Sequence, residues 1–145
     1  MTDFTLRATT SMAYDDTVTA VRGLLGEAGF GVLTEIDIRA TLKAKLDVDV
    51  LPQIILGACR PQLAHVALLA EPAIAALLPC NVVVRALEEG GSVVEAIDPD
   101  VMMSVAGQGP SLEALRTVAA DARERLTKAL AQLPGTAELT TTGAH

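Results

Sequence analysis

The amino-acid sequence predicts an α+β domain in which the elements run β-α-β-β-β-β-α, with helical insertions between strands. Three observations lead there. Apolar and polar residues alternate along short stretches such as Phe4 to Thr9, which is the period of a half-buried strand. Other stretches repeat their apolar residues at steps of three and four, the period of a helix with one buried stripe. A polar Glu88-Glu89-Gly90-Gly91 turn then joins two apolar runs in the manner of a hairpin.

Taken in order, Phe4 to Thr9 is the first strand. Asp15 and Asp16 supply capping chemistry for a helix in which Val18, Val21, Leu24, Leu25 and Ala28 recur, and Gly29 ends it. The spacing predicts a second strand over Phe30 to Ile36, a short helix over Ile38 to Leu46, and a third strand over Gln53 to Cys59. Pro61 opens a helical pair, because a proline at the first helical position lacks only a donor that would be unpaired anyway. The pair breaks at Glu71-Pro72 and ends at Leu78. The fourth strand is Asn81 to Leu87 and the fifth is Ser92 to Ile97, stopped by Asp98-Pro99. A final helix starts near Ser111, with Leu112, Leu115, Ala119, Ala122, Leu126, Ala129 and Leu133 as its stripe. Ala106 to Pro110 reads as a linker loop. Residues 1–133 are expected to form one domain and residues 134–145 a flexible tail rich in Thr, Gly and Ala.

Composition narrows the function classes. Half of the 145 residues are apolar, so a core can form, but there is no Trp, one Tyr and two Phe. The core must therefore be built from Val, Leu, Ile and Ala, and a base-stacking platform for single-stranded nucleic acid is out of reach. The net charge is −7 and the eleven Lys and Arg are scattered, so a phosphate backbone would be repelled. No nucleic acid is expected as a partner. The longest apolar stretch, Leu63 to Leu78, carries His65 and Glu71-Pro72 and falls short of the ~20 residues that span a bilayer, so no membrane partner is expected either. The start of the chain lacks the pattern of a signal peptide. A cytoplasmic location follows as an expectation, with both cysteines kept as thiols.

Four blocks then stand out in the central third: Gly-Phe-Gly-Val-Leu-Thr-Glu-Ile-Asp at 29–37, Ile-Leu-Gly-Ala-Cys-Arg-Pro at 55–61, Ala64-His65, and Leu-Leu-Pro-Cys-Asn-Val-Val-Val at 77–84. In this order and spacing the chain resembles the domain-of-unknown-function 302 family. The resemblance runs from the first helix to Met102-Met103 and also fits the last helix. It implies a curved, largely antiparallel sheet with helices packed on it, broadly like the TATA-box-binding-protein class of folds. It also implies a homodimer. It implies no activity, because function lives in sites rather than folds.

The residues themselves offer several sites. Cys59 ends the third strand and Cys80 begins the region of the fourth. If the helical pair between them doubles back, the two thiols meet at one end of the sheet, where they could form a redox pair, hold a soft metal or provide a nucleophile. Arg60 and a helix start at Pro61 would favour a thiolate. Two buried thiols serving only as small apolar groups is the alternative. His65, one turn on, is a candidate base or third ligand, or a structural histidine. Asn81 joins Arg60 and His65 as a polar group for a ligand. Met102 and Met103 are soft donors that could complete a Cu(I) site with the cysteines, or core filler. Glu35 and Asp37 face one way on a strand and could hold a hard cation or simply be solvated.

The sequence has no phosphate-binding Gly-x-x-x-x-Gly-Lys loop, no Gly-x-Ser-x-Gly and no His-Glu-x-x-His, and it names no cofactor. Whether the protein is an enzyme stays open. Three functions are in play: a small-ligand or soft-metal binding module centred on Cys59, His65 and Cys80, a thiol-dependent redox protein or enzyme using Cys59 and Cys80, and a structural homodimer without catalysis.

Overall fold

The computed structural model describes residues 4–106, 109 and 111–140. In chain order the elements are β1 (Thr5–Thr10), α1 (Tyr14–Glu27), β2 (Gly31–Asp37), α2 (Ile38–Leu46), β3 (Gln53–Cys59), α3 (Pro61–Ala70), a 3-10 helix (Pro72–Leu77), β4 (Cys80–Ala86), β5 (Ser92–Ile97), α4 (Pro99–Ala106), α5 (Leu112–Ala131) and β6 (Thr136–Thr140). The six strands form one antiparallel sheet in the order β2-β3-β4-β5-β1-β6.

Register divides the sheet into two faces. Residues directly opposite one another across an antiparallel pair share a face, and neighbours along a strand alternate. Leu6 opposes Ala96, Ala96 opposes Val82, and Val84 opposes both Val94 and Ile54. With Ala8, Leu56 and Ala58 these residues form the core face, closed by Val21 and Leu25 of α1 and by Leu126 and Leu130 of α5. The alternating set, Thr5, Arg7, Thr9, Gln53, Ile55, Asn81, Val83, Arg85, Glu95 and Ile97, belongs to the second face. A smaller cluster of Ala67, Ile74 and Leu115 joins α3 and the 3-10 helix to α5. The lack of large aromatics is met by close packing of small residues: Ala119, Ala122 and Ala129 on α5 are all buried.

Two parts of the chain differ from the sequence-based expectation. The tail expected to be flexible contains β6, which pairs with the outer edge of β1 through Arg7–Thr140 and Ala8–Leu139. Its entry is fixed by Thr10, whose Oγ1 donates to the Pro134 carbonyl at 2.6 Å, and by Ser11, whose N–H donates to the Gly135 carbonyl at 3.1 Å. β1 would otherwise expose a row of backbone donors and acceptors, and that free edge was not visible in the tail's own composition. Residues 141–145 lie outside the described residues. The second difference is α4. Asp98-Pro99 does end β5, but Pro99 also begins a helix, and the Asp100 N–H donates to Asp98 Oδ1 at 3.0 Å. The predicted linker loop at 106–110 falls mostly on residues outside the described set.

Candidate functional site

The excursion between the thiols does double back. α3 and the 3-10 helix return the chain so that β4 lies antiparallel to β3, with Cys80 opposite Ala58. Cys59 is one residue further along and shares its rung with Gly31 of β2. The two cysteines therefore stand on neighbouring strands at one end of the sheet. Strand alternation sends their side chains to opposite faces: Cys80 with Ala58 toward the core, Cys59 the other way. Cys80 is buried, Cys59 is half-buried, and both are free thiols. Burial pushes both upward from the ordinary thiol value of 9.0. Cys80 reaches about 11, through desolvation first and the neighbouring Cys59 second.

The cation expected to help the thiolate goes elsewhere. Arg60 reaches α5, where its Nη1 lies 3.8 Å from the Asp121 carboxylate, and its Nε is buried with no hydrogen-bond partner. The same carboxylate receives Arg125 Nε at 2.9 Å, and Arg125 Nη1 donates to the Ala28 carbonyl at the end of α1. Arg60 thus helps tie α3, α5 and α1 together. His65 is exposed on α3. Among the described residues no group of three or more His, Cys, Asp and Glu is placed to hold a metal ion. Met103 lies on α4, and its side chain falls outside the described residues. Glu35 is ion-paired to Arg22 of α1, and Asp37 caps α2 by accepting from the Ala40 N–H at 2.9 Å.

Two of the sequence candidates, Asn81 and Met102, meet on the second face of the sheet. They line a hollow of about 550 Å³ together with Phe4, Thr5, Gln53, Ala76, Leu77, Pro79, Val83, Arg85, Glu95 and Ile97. The sheet supplies the floor, while the 3-10 helix and α4 supply walls. At its polar end Arg85 Nη2 donates to Glu95 Oε1 at 2.7 Å, and Thr5 Oγ1 donates to Glu95 Oε2 at 3.4 Å. This volume suits a small ligand, and a mostly apolar lining with a few fixed polar groups is the usual composition of such sites.

Sequence reasoning missed Arg7, Arg85 and Glu95. The signal was present: each is a charged residue at the polar phase of a strand whose other positions are apolar or small. What alternation alone could not say is that the three lie on contiguous strands, β1, β5 and β4, because the strand order is not the chain order.

The family described as Domain of unknown function DUF302 matches residues 6–133. The chain belongs to that family. A crystal structure of an uncharacterized conserved DUF302 protein from Bacillus stearothermophilus is similar, with a TM-score of 0.81 and 26% identity over 91% of this chain and 99% of that one. No curated protein matches. DUF302 membership accounts for the fold, and it brings no assigned reaction. Among the described residues no helix is long and apolar enough to cross a membrane.

Proposed function

We propose that this DUF302 protein is a small-ligand binding module whose site is the hollow on the second face of the sheet. The observation that carries the reading is the charged, hydrogen-bonded Arg85–Glu95 pair at the end of a mostly apolar basin that also holds Asn81 and Met102. Fixed polar groups beside apolar walls orient a ligand as well as bury it. The thiol end supports ligand or metal chemistry less well. Raised thiol pKa values disfavour the thiolate that is both nucleophile and metal ligand, and His65 is exposed. Free thiols fit a reducing, cytoplasmic setting.

The test is a fragment screen by two-dimensional NMR. Binders are expected to shift the amides of Asn81, Val83 and Ile97, and Val83→Trp, which fills the basin, is expected to abolish those shifts. Binders that act instead at Cys59 and His65 would return the site to the thiol end.

A second reading, a homodimer, is favoured by a separate observation. Leu33, Ile36, Leu46, Val48 and Leu51 are all exposed, α2 buries none of its residues, and β2 is an edge strand. Exposed large apolar side chains on three successive segments, β2, α2 and the loop after it, are the kind of surface that an interaction would cover. Light scattering after size exclusion is expected to give twice the chain mass of 15.0 kDa, falling to the monomer in Leu33→Lys/Ile36→Lys. A monomeric wild type would dismiss it.

A further inference from the structure

We infer that the ligand of this hollow is a small amphipathic carboxylate, its head at the Arg85–Glu95 end and reaching toward Arg7, which borders that end, and its tail along Val83, Ile97 and Met102. This rests on the binding reading above and adds the chemical class.

The head group follows from how the charges are used. Arg85 and Glu95 line the hollow; Arg7 on β1 stands directly opposite Glu95 on β5, one strand beyond the lining, and Arg85 lies diagonally across on β4, all on one face. Glu95 is taken up by Arg85 and by the Thr5 hydroxyl, one oxygen each. Arg7 is not among its partners, and Arg7 Nε is buried without a hydrogen-bond partner. A buried donor left unmade carries a desolvation cost that an incoming acceptor removes. A carboxylate is the matching acceptor, because its two oxygens can engage a planar guanidinium fork. A cationic head would find Glu95 already neutralised. A doubly charged phosphate head would press a second negative charge against Glu95 in a partly desolvated place, where repulsion is stronger than in water.

The tail follows from the floor. Val83, Ile97 and Met102 are half-buried apolar groups inside the hollow, beside the Arg85–Glu95 end. A chain of several methylenes can lie along them, each buried methylene adding to affinity.

The experiment titrates the protein with octanoate, octanol and octylammonium at neutral pH, reading the Asn81, Val83 and Ile97 amides. Octanoate is expected to bind about tenfold more tightly than octanol, the advantage of a hydrogen bond to a charged group, and octylammonium most weakly. Arg7→Gln is expected to bring the octanoate-to-octanol ratio close to one, and Arg7→Lys to keep a preference for octanoate. Equal binding of octanoate and octanol, or tighter binding of octylammonium, overturns the carboxylate assignment and leaves the hollow as a binding site. If none of the three moves those amides, the binding reading fails and this inference goes with it.

Discussion

Arg123 of α5 donates through Nε to Oδ1 of Asp98 at 3.1 Å, and that aspartate, at the end of β5, is only 3% exposed. Its backbone N–H donates to the Phe4 carbonyl at 2.9 Å, beside the start of β1. Its side chain also accepts from Asp100 at the start of α4. One residue therefore joins the sheet to two helices, and α4 is the wall that carries Met102 into the hollow.

Asp98→Ala is expected to destabilise the fold by about 2–4 kcal/mol, the sum of a lost cap and a broken charge-assisted contact. Asp100 lies 3.4 Å from the same arginine nitrogen, so Arg123 keeps a partner and the loss stays below that of a fully stranded buried charge. Asp98→Asn retains an acceptor and should lose about half as much. Urea unfolding checks both. A loss under about 0.5 kcal/mol for Asp98→Ala, the level of an ordinary surface substitution, would show the contact to be incidental.

Gly57 of β3 faces Asn81 across the β3–β4 pair. A Cβ there would collide with the Thr34 hydroxyl and lie 2.8 Å from Pro79 Cγ. Gly57→Ala should therefore cost about 1–3 kcal/mol, the range for overpacking. The Thr34 side chain is the part that can be removed, so Thr34→Ala in the same chain should recover part of the loss. A double-mutant cycle measures that coupling, expected at about 0.5 kcal/mol or more. Additive effects would mean that Pro79 alone sets the limit.

Deleting residues 135–145 removes β6 and leaves β1 as an unpaired edge. We expect a lower midpoint in thermal unfolding and self-association at high concentration, since a bare strand edge is a template for pairing. Light scattering and circular dichroism report the two effects. A truncated chain as stable and as monodisperse as a full-length control would make β6 dispensable.

The contrast between β6 and the rest shows what the amino-acid pattern could carry. β3, β5 and α2 have the bounds that their periodicity predicts, because local alternation and helical spacing define them. The neighbouring placement of Cys59 and Cys80 was legible too, since Glu71-Pro72 breaks the excursion into two segments. β6 was not legible because a strand of Thr136-Ala137-Glu138-Leu139-Thr140 has little apolar signal and depends on a distant edge. The polar end of the hollow was hidden for a related reason. Arg7 lies far from Glu95 in the chain and stands opposite it, without bonding to it, only because β1 inserts between β5 and β6. Arg60 misled by proximity: it follows Cys59 in sequence, yet its side chain turns to Asp121 on α5.

Burial of Cys80 carries a pH signature. Its thiol sits at about 11 in the native state against 9.0 in an unfolded chain. Between those values the unfolded state has released a proton that the native state still holds, so stability must fall as pH rises through this window and is fully present below it. The loss is about 2–3 kcal/mol for two pH units. Tyr14 is also raised, by burial first and then by Asp37 and Asp15, and adds a decline of the same sign. The comparison with Cys80→Ala isolates the thiol: urea unfolding under reducing conditions at about pH 8 and about pH 11 should show a smaller drop in the variant by that amount. At neutral pH iodoacetamide should modify half-buried Cys59 before Cys80, and both more slowly than free cysteine. Rapid alkylation of Cys80, or identical pH profiles for the two chains, would instead mean that its thiol is open to water, and thiol chemistry at this end of the sheet would regain its claim.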